Sequence, residues 1–250
     1  MAQTADLRAL GGQRVWSLMV SLLGDLARDP GDAIDGPLLT RMMQSLDIKP
    51  EATRVALHRL RKDDWIASHK RGRISEHSLT AHGRAVSAQA STYIYADPRG
   101  AAADWQLVLL APDAAHDRAD LTQRGFTPLT TRIFAGAGSA VPPQGALALQ
   151  AASAPGWLKA ELLPTAQRSA FAALLTTLEA VSEALLTSPP QSSLHRAVLR
   201  CLIVHNWRRL VLRYPALPEP LVDKNGPAHR CHLLVWDLLK RYPRPQLSDL

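Results

Sequence analysis

The chain has 250 residues, 46% of them hydrophobic and 20% charged, with a formal net charge of +7. Those proportions exclude a disordered chain or a fibrous repeat and supply enough apolar material for two or three packed units. The charge is uneven: +3 over residues 1–100, −2 over 101–194 and +6 over 195–250, so the two ends favour a polyanionic partner.

Residues 1–12 read as a polar, Gly-ended tail. The run RVWSLMVSLLGDLA at 14–27 is too short for a signal peptide, is interrupted by Asp25 and has no small-residue cleavage site after it. Val15, Leu18, Met19, Leu22, Leu23 and Leu26 instead recur at helical spacing and predict a first core helix. DPGDAIDGP is rich in turn-forming residues and reads as a loop. A second helix is expected from Pro37 to Leu46, then a three-residue turn at Asp47, Ile48 and Lys49.

The stretch from Lys49 to Arg84 carries nine Lys/Arg against four Asp/Glu, with four histidines in addition. Pro50 suits the first turn of a helix, and Ala52, Val55, Ala56 and Leu60 read as its buried stripe. Arg54, His58 and Arg61 fall on another face at i, i+4 and i+7, with Thr53 and Leu57 beside them. Trp65 and Ile66 begin a short strand, HKRGR makes a basic hairpin tip at Lys70, Arg71 and Arg73, and His77 to Leu79 returns. Helix, turn, helix and hairpin, closed by a segment capped at Thr80, is the order of a winged helix-turn-helix. In that order the helix reads bases and the hairpin lies on phosphates, so Thr53, Arg54, Leu57, His58, Arg61, Lys70, Arg71 and Arg73 are the candidate DNA-binding residues.

The chain here also resembles the PaaX family of bacterial transcriptional repressors. The matching residues are Leu23-Gly24-Asp25, then Arg54, Ala56, Leu57, Arg59 and Leu60, then Trp65, and at the hairpin Gly72, Arg73 and Ser75. Asp64 stands where that family usually has Gly, and His58 replaces a small hydroxyl residue.

Further on, TYIYAD (92–97), WQLVLLA (105–111), TRIFAGAG (131–138) and ALALQA (146–151) read as strands, with a helix before Gly125. This pattern suggests a small α+β sandwich of ferredoxin-like type. The resemblance implies the same, a central domain similar to the Cas2 nuclease fold. Asp97 and Asp104 are acidic candidates by position only, and GAGS at 136–139 lacks the following helix of a phosphate cradle.

Three helices follow, over 166–186, from Leu194 to Arg213 and from Ala228 to Arg241. The middle one resembles the family's C-terminal motif at Ile203, His205, Trp207, Arg208, Arg209, Leu212, Arg213, Pro215, Leu217 and Pro218, with Tyr214 in place of Asp. It is apolar around most of its circumference, so Arg208 and Arg209 must be paired or solvated at its edge. Forked guanidinium groups also suit phosphates or a carboxylate. The resemblance implies an acyl-CoA effector such as phenylacetyl-CoA, for which His205, Arg208, Arg209 and Arg213 are the candidate residues.

Cys201 and Cys231 are too few for a secreted disulfide framework. With His205, His229 and His232 they could converge as metal ligands, but their spacing fits no finger pattern, so no metal is expected. No Gly-x-Ser-x-Gly elbow or HExxH motif is present, and no catalytic residue, enzyme activity or cofactor is expected. No stretch is expected to reach the ~20 apolar residues of a membrane span, which leaves a cytoplasmic protein.

The fold class expected is α+β in three domains: winged helix over 1–91, ferredoxin-like over 92–160 and helical over 161–250. The function expected is a homodimeric repressor on an inverted-repeat double-stranded operator, and the resemblance implies control of aromatic-acid catabolism. A nucleic-acid-processing or RNA-associated protein built on the Cas2-like middle stays open beside it.

Overall fold

The computed structural model describes residues 2–11, 14–100, 104–112, 118–151, 153–213, 217–218 and 221–250. It is a mixed α+β protein with two small antiparallel sheets.

The expected N-terminal tail is instead a helix, α1 (Ala2–Ala9). Its Leu7 is fully buried, and Asn206 donates its side-chain amide to the Leu7 carbonyl at 3.0 Å. One buried leucine and one buried hydrogen bond tie down a segment whose composition alone is polar. The apolar stripe of residues 15–26 makes α2 (Val15–Leu26), with Leu18, Met19, Leu22 and Leu23 completely enclosed.

The turn-rich loop that follows contains a two-residue strand, β1 (Ile34–Asp35), which pairs antiparallel with Glu76 and His77. Asp35 then caps α3 (Gly36–Ser45), its carboxylate accepting from the Leu38 amide at 2.6 Å. Asp47 takes a left-handed φ of 56° in the connection to α4 (Pro50–Lys62).

A second left-handed residue, Asp64 (φ 54°), turns the chain into β2 (Ile66–Arg71). Glycine has no steric cost in that conformation and Asp tolerates it, which explains the substitution at this position. A two-residue turn, with Gly72 at φ 64°, leads to β3 (Ile74–Leu79) in the register Arg71↔Ile74 to Ile66↔Leu79. The sheet order is β1-β3-β2.

Thr80 caps α5 (Ala81–Ile94), accepting from the Gly83 amide at 2.9 Å while donating to the Asp64 carbonyl at 2.5 Å. A Cβ at Gly83 would run into the Trp65 carbonyl, so α5 presses directly on the base of the hairpin. The expected strand over 92–97 is the end of this helix and its cap. The β-forming residues there face a core, with Ile94 buried and the Tyr95 hydroxyl donating to Asp25 at 2.7 Å, and tertiary packing overrides their propensity.

The second sheet is β4 (Trp105–Leu109), β5 (Thr127–Pro128), β6 (Ile133–Ala137) and β7 (Leu147–Ala151), ordered β5-β6-β4-β7 and antiparallel throughout. One face packs Val108 and Phe134 against Leu121 of α6 (Arg118–Gln123) and against Phe126. Residues 113–117, the start of the expected helix before Gly125, lie outside the described residues. The other face packs Trp105 and Ala135 against Leu158 of α7 (Gly156–Leu162) and Leu221.

The C-terminal helices are α8 (Thr165–Thr187), α9 (Ser193–Val211) and α10 (Pro227–Arg241). Contrary to expectation, α8 is long and apolar enough to cross a membrane by length and composition. In the fold its Phe171, Leu174, Leu175, Leu178, Val181 and Leu185 make one buried stripe on the core. Every residue of α9 from Ala197 to Trp207 is buried. It is the axle of the molecule: one continuous core holds Leu18 and Leu22 of α2, Leu60 of α4, Leu202 and Trp207 of α9, Leu178 of α8 and Val235 of α10.

Candidate nucleic-acid interface

On α4 the core side is Thr53, Ala56 and Leu60, at i, i+3 and i+7, with Leu57 half-buried beside them. Two expectations change places. Thr53 is 7% exposed, and its hydroxyl donates to the Lys49 carbonyl at 3.3 Å, so it lies off the outer face. Val55, expected inside, is 70% exposed.

The outer face therefore carries Glu51, Arg54, Val55, His58, Arg61 and Lys62. Arg54 meets Glu51 at 3.8 Å, but both are about three-quarters exposed, and a pair of that kind holds a side chain weakly. Arg59, at the edge of the face, is committed internally, stacked 4.4 Å over the Trp16 ring and 3.4 Å from Asp63. Leu57 and Arg54 also line a hollow of about 330 Å³ between α3, α4 and His77 of β3.

The hairpin carries His69, Lys70, Arg71 and Arg73 exposed at its tip. Arg71 is partly neutralised by Glu76 across the ladder at 3.2 Å. No salt bridge involves Lys70 or Arg73 among the described residues. At the hairpin base His77 pairs with Ser68 at 2.8 Å, and burial followed by the Arg61 charge lowers its pKa. The helix face and the hairpin tip together form a cationic surface rooted in one rigid core.

The residues proposed for an effector are scattered by the fold. His205 is completely buried, its Nδ1 3.0 Å from the Ser21 hydroxyl of α2. Burial, with the Arg209 and Arg208 charges, holds its pKa down to about 3, so it is a neutral imidazole. Arg209 donates to the Gly11 carbonyl, and Arg213 is exposed. Arg208 is half-buried and, among the described residues, reaches only the Ser17 and Ser21 hydroxyls, at 3.4 and 3.5 Å. Tyr214 and Pro215 of the same motif lie outside the described residues.

The polar centre of this region is one that sequence reasoning missed. Arg200 of α9 grips Asp25 of α2 with two bonds, Nε to Oδ2 at 2.9 Å and Nη2 to Oδ1 at 2.8 Å. Both side chains are almost fully buried. Arg200 Nη1 also donates to the carbonyls of Leu239 and Tyr242. The only sign in the sequence is a charged residue interrupting each of two apolar helices.

Among the described residues no group of three or more His, Cys, Asp or Glu could hold a metal ion. Cys201 and Cys231 are separately buried thiols, and His232 donates from Nε2 to the Ala96 carbonyl at 2.9 Å while stacking on Trp207. Asp97 is turned onto Arg99, whose backbone amide donates to it at 2.9 Å.

The family described as PaaX-like protein matches residues 14–83, and PaaX-like protein C-terminal domain matches 164–245. The transcriptional repressor PaaX of Escherichia coli strain K12 is 25% identical over 253 residues, covering 90% of this chain and 79% of that protein. The solved structure of uncharacterized protein Rv0674 from Mycobacterium tuberculosis has the same fold, with a TM-score of 0.52 and 17% identity over 90% of this chain and 94% of that one.

Proposed function

We propose, from the premise that the chain belongs to the PaaX-like protein family, that it is a DNA-binding transcriptional repressor. The observation that carries the reading is the cationic outer face of α4 beside the basic tip of the β2–β3 hairpin. In this reading residues 14–91 are a winged helix-turn-helix: α4 enters the major groove and the hairpin lies along phosphates. The order β5-β6-β4-β7 is that of a ferredoxin-like sheet, although a loop and not a helix joins β6 to β7. A three-domain division with its first boundary after α5 rather than at 91 and its second at 160, the homodimer on an inverted repeat, the cytoplasmic location and release by an acyl-CoA effector belong to the same proposal. No catalytic role is assigned to the middle sheet.

Arg54 and Arg61 are the side chains placed to read bases. Replacing either by Ala is expected to cost about 1–3 kcal/mol of operator affinity and to relax specificity at one position. Val55, an apolar side chain in the middle of that face, suits a thymine methyl. Its replacement by Ala should matter less on DNA carrying uracil for thymine. Fluorescence anisotropy with operator variants checks the set, and wild-type affinity in both Arg variants would mean that another face reads the DNA.

The hairpin is expected to supply charge without sequence information. Lys70→Ala and Arg73→Ala should each reduce the slope of log K against log salt by about 1 and weaken all DNA sequences alike. Arg71→Ala should do less, since Glu76 already neutralises part of its charge. A hairpin variant that altered base preference at constant salt slope would show that the tip reads bases.

A further inference from the structure

A narrow cleft of about 110 Å³ lies between α2, α5 and α9, where the N-terminal unit meets the C-terminal axle. Its wall is hydrocarbon from Val20, Val86, Ile94 and Val204. Trp65, the residue at the base of the hairpin, closes one side, and Leu212, 40% exposed, stands among its lining residues.

Two polar groups in this cleft lack adequate partners. Arg208 lines it with a half-buried guanidinium that meets no carboxylate among the described residues, only two serine hydroxyls at 3.4 and 3.5 Å. Ser87, on the opposite helix, has a buried hydroxyl oxygen with no hydrogen-bond partner. A cation partly removed from water without a counter-ion is costly, and so is an unmatched buried hydroxyl. Both costs vanish if a carboxylate sits between them, accepting from the guanidinium and from the serine. The hydrocarbon wall would take the rest of such a molecule.

From this geometry we infer that the cleft is a binding site for a small organic monocarboxylate, anchored by Arg208 with Ser87 and buried along its apolar body against α2 and α5. The volume limits the ligand to a short chain, since it is below the roughly 150 Å³ of an apolar cavity that holds one benzene. A coenzyme A nucleotide does not fit. The site stands on its own geometry. Its consequence for DNA binding, through Trp65 and the hairpin, rests on the repressor reading.

Titration calorimetry of the 250-residue chain with pentanoate, in the absence of DNA, tests the site, with benzoate as an acid too large to enter. Saturable binding of pentanoate is expected, and none of benzoate. It should weaken tenfold or more in Arg208→Gln, and equally in Ala90→Leu, which fills the cleft and leaves the guanidinium in place. Each variant is compared at a wild-type circular dichroism spectrum, and either one that keeps the fold decides the matter.

Four results overturn the inference. They are no saturable heat from pentanoate, unchanged affinity in a folded variant, inorganic phosphate binding as tightly as pentanoate, or pentanoyl-CoA binding tighter than pentanoate. Because no DNA is present, failure here leaves the repressor reading standing, and failure of that reading leaves the acid site standing.

Discussion

Arg200→Ala is expected to lower the unfolding free energy by about 3–5 kcal/mol, the loss typical of breaking a buried ion pair from one side. The Asp25 carboxylate would be left in the core with the Tyr95 hydroxyl as its remaining side-chain partner. The Leu239 and Tyr242 carbonyls at the end of α10 would lose their donor as well. The pair joins α2 to α9, so the damage reaches the α4 face and the hairpin although neither residue lies on them. Urea unfolding followed by circular dichroism measures it, and Asp25→Leu combined with Arg200→Met should recover part of the loss by removing both charges. A loss below about 1 kcal/mol in Arg200→Ala would mean that water reaches the pair and screens it.

Acid is expected to destabilise the protein well before its carboxylates titrate. His205 is held neutral, with its pKa pushed down to about 3 by burial and by the Arg209 and Arg208 charges. Its unfolded value is ~6.5, so between those values the unfolded chain binds a proton that the folded chain refuses. Stability is unaffected by this group above ~6.5 and falls as pH drops below it, by up to about 1.4 kcal/mol per pH unit. His77 and His232 are lowered too, both chiefly by burial, and act in the same direction. Unfolding midpoints at pH 7 and pH 5 should therefore differ clearly, and His205→Gln should flatten the dependence. A flat profile over that range would show that the folded chain takes up protons as readily as the unfolded one, and that burial does not hold the imidazole neutral.

Much of this was legible in the sequence because it is local. The stripe of α2, the Thr80 cap, the glycine-centred hairpin and the strands at 105, 133 and 147 each follow from residue spacing or turn chemistry. Where the structure differs, helical period or a long-range contact outweighs hydropathy. On α4, Thr53, Ala56 and Leu60 keep the helical period, and Val55 lies out of phase with them. TYIYAD reads as strand by propensity, but the helix begun at Thr80 continues into it because Ile94 finds a core and Tyr95 finds Asp25.

The candidate site was only half legible for the same reason. The exposed cations of α4 and of the hairpin tip could be placed from the sequence, since a helical face and a two-residue turn fix them. The arginines of α9 could not. Arg200, Arg208 and Arg209 look alike in a run of apolar residues, yet one is locked to Asp25, one lines a cleft and one reaches back to Gly11. Partners separated by 175 and 198 positions in the chain set those roles.

The central claim is that the α4 face and the hairpin bind duplex DNA, and an electrophoretic mobility shift with the DNA upstream of the protein's own gene tests it most directly. The account predicts a saturable shift that survives excess unrelated DNA, weakens steeply with salt, disappears in an Arg54→Ala, Arg61→Ala double variant and leaves the DNA uncut. No preference over unrelated DNA, or cleavage of the probe, would contradict it.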